Sequence, residues 1–424
     1  MNRLFSTNEL KNFLKHILSI LSVFFKWLIC SVASGVIIGL IGTGFHVLLD
    51  FATQYRTNYS FLLFLLPIAG LFIVFMYDKA GEANNTGTNL IITAVQSDDK
   101  VPVYITPLII ISTLLTHLCG GSAGREGAAL QVGGSIGNFL SKVFHFDEKD
   151  TKIMIMCGMS ACFSALFGTP IAAAIFSMEV ISVGIMYYAA LVPCVVSALT
   201  AQGIAKYFNA AQTHFTVGEV PDFNLLTGGK FVLAAIIFAV VSILFCFTLH
   251  KSAKLYQKCF SNPYIRIAAA GLIVIALRYI LGTTDYLGAG TPVIIQSFTT
   301  RCMWYVFLLK IIFTAATLGG GFKGGEIVPT LFIGAALGSF LSGIFGLPVG
   351  LCAACGMVSL FCGVTNCPIT SLILAIEMFD MAGMKYCILC IAVSYLLSGY
   401  YSLYNSQKIM YSKYRTEYIN RHTH

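Results

Sequence analysis

Gly121-Ser122-Ala123-Gly124-Arg125-Glu126-Gly127-Ala128-Ala129-Leu130 follows one apolar run and opens another. A glycine-rich break of this kind reads as a loop at the N-terminus of a half-helix inside a membrane. Glycines let the backbone bend so that the free N–H groups at the helix start face one point. Those groups and the helix dipole attract an anion. Irregular backbone at such depth is tolerated only where it is buried in protein or lines a cavity. Glu126 sits at the positive end, so its carboxylate can take the place of an anion and can leave it by protonating or swinging away. Acids within membrane segments are as a rule functional; the alternative is a plain cap or an ion pair with Arg125.

The block has a partner. Gly319-Gly320-Gly321-Phe322-Lys323-Gly324-Gly325-Glu326-Ile327-Val328-Pro329 repeats the design, with Pro329 suited to the first turn of a helix. The two blocks stay in register through Gly134 and Gly334, and Pro170-Ile171 followed by Glu179 matches Pro368-Ile369 followed by Glu377. Paired broken apolar segments in two halves are the pointer to a transporter built from repeats, with its site at their interface. Glu326 therefore lies at a second helix start, where a simple N-cap is the plainer reading. A third helix start is signalled by Asn84-Asn85-Thr86-Gly87-Thr88-Asn89 before an apolar run, though such clusters are also ordinary surface loops.

Composition agrees. In 424 residues the hydrophobic set makes up 57% and charged residues 10%, with mean hydropathy +0.82; a soluble domain carries about a quarter charged residues. The expected fold is an all-α polytopic membrane protein. The net charge of +8 does not point to nucleic acid, because Arg3, Lys11, Lys15 and Lys26 cluster at one end and Lys408, Lys413, Arg415 and Arg421 at the other. Both termini are thus expected in the cytoplasm, with an even number of crossings. Candidate spans are 27–49, 61–76, 102–118, 153–178, 191–205, 231–249, 265–280, 303–318, 327–345 and 386–403, judged against the about 20 apolar residues a crossing needs. The division follows: a basic amphipathic helix over 1–26, a first repeat over 27–206, a linker over 207–230, a second repeat over 231–404, and a short tail over 405–424 with no regulatory domain. Cys352 and Cys355 have metal-ligand spacing but no His or carboxylate nearby, so they read as core, and no metal or cofactor is expected. The H-E-x-x-H signature is absent and the acids sit at helix starts within apolar runs, which speaks against an intramembrane enzyme.

Gly124-Arg125-Glu126-Gly127 resembles the GREG motif of the CLC family of chloride channels and proton-coupled anion antiporters. The similarity continues through Gln131, Gly133 and Gly134, through Ala165–Pro170 and on to Glu179, through Gly363–Pro368 and on to Glu377, and through Leu403-Tyr404-Asn405-Ser406. It implies a CLC-type fold of two inverted-topology repeats, a homodimer, and a multi-pass place in the cell membrane among lipid. Gly-Gly-Glu at 324–326 and Gly-Thr-Asn at 87–89 resemble the bacterial fluoride/proton antiporters of the family rather than its chloride members. That subgroup often carries Thr where this chain has Val328 and Ala128, so fluoride handling here is expected to differ or to lean on Thr330. Chloride/proton exchangers carry a proton glutamate where this chain has Val180, which argues against a proton route there.

The resemblance therefore implies export of fluoride in exchange for protons. Glu126 would gate and carry protons, and Glu326 would act on the anion pathway and selectivity. The anion would be bound by Thr88, Asn89, Gly124, Arg125, Gly127, Gly325, Ile327, Val328 and Tyr404, with Tyr411 as a rival to Tyr404. Glu179 and Glu377 would close their helices. A CLC chloride/proton antiporter or a passive chloride channel is the alternative.

Overall fold

The computed structural model describes residues 7–97, 101–210, 214–381 and 383–423; Arg3, residues 211–213 of the expected linker and the last residue of the tail lie outside them. Among the described residues the chain forms sixteen α-helices and three short strands. The first half holds α1 (Thr7–Asn58), α2 (Leu66–Lys79), α3 (Thr88–Gln96), α4 (Ile105–Leu118), α5 (Glu126–Val143), α6 (Glu148–Phe167), α7 (Pro170–Glu179), β1 (Ser182–Val183) and α8 (Leu191–Tyr207). The second holds α9 (Leu225–Cys259), α10 (Pro263–Leu281), α11 (Thr291–Gln296), α12 (Val306–Gly319), α13 (Ile327–Phe345), α14 (Val349–Thr365), α15 (Pro368–Phe379) and α16 (Met384–Leu397), then β2 (Lys408–Tyr411) and β3 (Tyr418–His422).

Residues 7–26 of the basic stretch expected as a unit over 1–26 are the beginning of α1, one continuous helix of 52 residues. Among the described residues, seven helical stretches are long and apolar enough to cross a membrane, fewer than the sequence suggests. Runs 102–118, 303–318 and 386–403 become α4, α12 and α16, each of 14 residues. At 1.5 Å per residue such a helix spans about 21 Å, short of an about 30 Å hydrocarbon core. The run 153–178 breaks where Gly168 leaves α6 with φ of 75°, and Pro170 restarts the chain as α7. Half-length helices that stop inside the protein are what place helix starts at depth.

The repeat is more extensive than its sequence signature. The order α4, glycine block, α5, α6, α7, α8 recurs as α12, glycine block, α13, α14, α15, α16. Gly87-Thr88 opens α3 and Gly290-Thr291 opens α11, with φ of 66° and 76° at the glycines. Close packing uses small residues in both halves. A Cβ at Gly133 would sit 2.1 Å from the Gly158 carbonyl oxygen, joining α5 to α6; one at Gly334 would sit 2.4 Å from that of Gly356, joining α13 to α14. In a membrane, where lipid removes most of the hydrophobic drive between helices, such backbone approach supplies the van der Waals contact. Leu, Ile and Phe side chains of α1 and α10 remain exposed on the outside, as suits lipid.

Residues 405–423 are more than a tail. Strands β2 and β3 pair antiparallel, and β2 pairs in parallel with β1 of the first half.

Candidate functional site

The two glycine blocks meet. The Gly124 N–H donates to the Gly325 carbonyl at 2.7 Å, and the Gly325 N–H donates to that of Gly124 at 2.7 Å, an isolated antiparallel bridge. It sets the starts of α5 and α13 side by side. Neither position has room for a side chain: a Cβ at Gly124 would lie 2.3 Å from Glu126 Oε2, and one at Gly325 would lie 2.7 Å from the Glu126 nitrogen.

Glu126 is fully buried and reaches across the interface. Its Oε2 accepts the Arg125 N–H at 3.0 Å and the Val328 N–H of α13 at 3.1 Å. A carboxylate of the first half thus occupies the positive end of a helix of the second, where an anion would be favoured. Its Oε1 is buried and has no partner. The ion pair with Arg125 does not form. The Arg125 guanidinium turns away to Asp50 Oδ1 at 3.3 Å and the Leu166 carbonyl at 3.3 Å, so Arg125 brings only its backbone N–H to the cluster.

Glu326 is the N-cap residue of α13 but makes no side-chain cap hydrogen bond. Its Oε2 is buried, has no partner, and lies against the Gly127 backbone, 3.4 Å from where a Cβ would be. Ile327, buried, follows it as the first residue of α13. Thr88 is buried at the start of α3 and donates a long bond of 3.4 Å to the Gly127 carbonyl. Asn89 Oδ1 accepts the Ser406 N–H at 3.0 Å, which fixes its amide and leaves the NH2 as a donor. Tyr404 is buried, its hydroxyl is unpartnered, and it lies within Coulombic range of Glu326 and Glu126. Tyr411 instead stands exposed in β2 beside Tyr418.

A cavity of about 560 Å³ reaches the cluster from one side, touching Val328 and Arg125. Arg56, Arg278, His117 and Asp50 also line it, whereas Thr88, Asn89 and Tyr404 do not. It opens toward the C-terminal end of α1, the face opposite that helix's start.

Geometry extends two expectations and corrects a third. Glu179 ends α7 and Glu377 lies in the last turn of α15, and each carboxylate also reaches a helix start of the other half. Glu179 accepts from the Ile369 and Thr370 N–H groups and the Thr370 hydroxyl at the start of α15, at 3.0, 2.8 and 2.6 Å. Glu377 accepts from Ile171 and Ala172 at the start of α7, at 3.0 and 2.8 Å. The third concerns Thr330, which does not stand in for a hydroxyl at Val328. It is buried and donates to the Glu326 carbonyl at 2.9 Å. Sequence reasoning also passed over Lys310, a fully buried lysine whose Nζ donates to the Tyr286 and Gly288 carbonyls at 3.2 and 2.7 Å and so holds the loop at the cavity rim. A lone basic residue in an otherwise apolar run was its signal. Gln407 is a second omission.

A family model for voltage-gated chloride channels matches residues 69–399, more than three quarters of the chain. A "Chloride/fluoride channel protein" of Pseudomonas syringae pv. tomato is 36% identical over 406 residues, 94% of this chain and 89% of the relative. An H(+)/Cl(-) exchange transporter of Yersinia pestis is 25% identical over 385 residues, 83% of this chain and 80% of the relative. The crystal structure of a CLC-type fluoride/proton antiporter superimposes with a TM-score of 0.88 at 33% identity, covering 91% of this chain and 98% of that one. With the paired glycine blocks, the crossing carboxylate and these similarities, the chain belongs to the voltage-gated chloride channel, or CLC, family.

Proposed function

We propose that this chain is a fluoride/proton antiporter that exports fluoride from the cytoplasm in exchange for protons. The observation that carries the reading is a second carboxylate, Glu326, beside Glu126, with Glu126 Oε1, Glu326 Oε2 and the Tyr404 hydroxyl all buried without partners. The fluoride/proton antiporter and the chloride/fluoride channel protein among its relatives support the choice of halide.

Fluoride is small and strongly hydrated, so it leaves water only where strong donors replace its shell. The Val328 and Arg125 N–H groups, now given to Glu126 Oε2, are two such donors. Protonation of Glu126 removes the charge that holds its carboxylate at the start of α13. The side chain is then free to leave, and a fluoride can take its place. A protonated Glu326 donates a hydrogen bond to the passing anion, and after its proton departs it repels the anion. Tyr404, Asn89 and Thr88 would serve the side away from the cavity. Chloride accepts hydrogen bonds more weakly and gains less from an acid at 326.

The cavity at the C-terminal end of α1 would be the outer mouth, and both termini would face the cytoplasm of a cell-membrane protein. Supporting this, Lys26 pairs with Asp150 near the start of α6, and α6 runs from there to Phe167 at the cavity. α7 turns back from that rim, and the C-terminal hairpin pairs with the strand after it. A homodimer in lipid is the expected assembly.

Purified protein in liposomes, read with a halide electrode alongside pH, tests the reading. Fluoride efflux coupled to proton uptake is expected. Chloride efflux equal to that of fluoride rejects the selectivity, and halide movement without protons favours a passive channel.

A further inference from the structure

The unpartnered Tyr404 hydroxyl leaves the backbone to hold that residue. The Tyr404 N–H donates to Ser402 Oγ at 3.1 Å. Its carbonyl accepts the Gln407 N–H at 3.0 Å and the hydroxyl of Thr423, near the end of the chain, at 2.7 Å.

Gln407 is fully buried and uses its whole amide. Its Nε2 donates to the Val180 carbonyl of the first half at 3.0 Å and to the Thr365 carbonyl of the second at 2.7 Å. Its Oε1 accepts from Asn366 Nδ2 and Ser402 Oγ, each at 3.0 Å. Two donors and two acceptor sites are thus satisfied, an arrangement open to an amide and closed to a carboxylate. Thr423 is tied back to the same residue, its N–H donating to the Gln407 carbonyl at 3.1 Å. Between these anchors the hairpin is held by β1 and by Lys413, whose Nζ donates to the Tyr395 carbonyl at 2.9 Å and to Ser398 Oγ at 3.2 Å at the end of α16.

We propose that the C-terminal hairpin is a positioning device for Tyr404, with Gln407 joining it to both halves and Thr423 fixing its carbonyl, so that residues 405–423 help set how tightly the inner mouth holds its halide. This rests on the reading that the Tyr404 hydroxyl donates to the transported anion.

The test is a double-mutant cycle on the full chain in liposomes, measuring the apparent KM and maximal rate of fluoride efflux. Thr423→Val removes one hydrogen bond to the Tyr404 carbonyl and is expected to raise the apparent KM about fivefold, the scale of a single buried hydrogen bond. The maximal rate should change less, and Thr423→Ser should restore the wild-type value. In a Tyr404→Phe background, Thr423→Val should add nothing further, because the group it positions is gone. Equal effects with and without the Tyr404 hydroxyl, or an unchanged KM in Thr423→Val, overturn the proposal. If Thr423→Val does not yield folded protein, a chain ending at His422 is measured in its place, with the same outcomes. Wild-type liposomes that move chloride in place of fluoride reject the fluoride reading; the cycle is then measured with chloride and still decides the brace.

Discussion

The two halves of the chain share one scaffold and differ in what their glutamates do. At the outer pair the correspondence is close. Glu179 caps α15 of the second half, and Glu377 caps α7 of the first, each taking two successive backbone N–H groups. At the inner pair it fails. Glu126 crosses to cap α13, while Glu326 makes no side-chain cap bond and keeps a buried oxygen free. Reciprocal bonds are what a repeat needs to hold together. In the proposed exchange cycle, the unreciprocated pair is where charge and proton occupancy change.

Substitutions can break this comparison. The largest effect is expected from Glu126→Gln, which keeps the shape and removes the titrating charge: proton movement should fall by about a hundredfold, the scale of losing a positioned acid. Liposome pH recordings check it. Glu326→Gln should act on the anion, lowering the preference for fluoride over chloride by about tenfold, or about 1.4 kcal/mol, as read from paired electrode measurements. Glu179→Ala should leave proton coupling intact and destabilise the fold by about 2 kcal/mol, seen as a lower unfolding midpoint in detergent. Glu377→Ala should do the same by about 1 kcal/mol, because its carboxylate accepts two bonds rather than three. The smallest effect is expected from Arg125→Lys, which preserves the backbone donor and disturbs only the guanidinium contacts with half-exposed Asp50 and the Leu166 carbonyl. Stability should move by less than about 1 kcal/mol and transport by less than about twofold.

Much of this was legible because membranes leave few ways to use polar residues. Glycine blocks beside glutamates in apolar runs read as helix starts at depth, and Glu126 and Glu326 stand at the starts of α5 and α13, whereas Tyr404 could be singled out only through the family resemblance. What stayed hidden is what depends on the partner across the interface. Spacing shows that Glu179 ends a helix, yet only the assembled halves show that its carboxylate lies over the start of α15. The Gly-Thr openings of α3 and α11 are too short to stand out as a repeat. Gln407 looks like any polar residue after a last helix, since nothing local tells that two distant carbonyls converge on it.

The rung between Gly124 and Gly325 is made of main chain alone. Its alignment is therefore indifferent to which side chains surround it, provided neither glycine acquires one. Substitutions at Val328 or Ala128 would change the lining while the frame that opposes the two carboxylates stays fixed. Seam and lining are separable, and a chemist who wishes to redirect the cargo has the lining to work with.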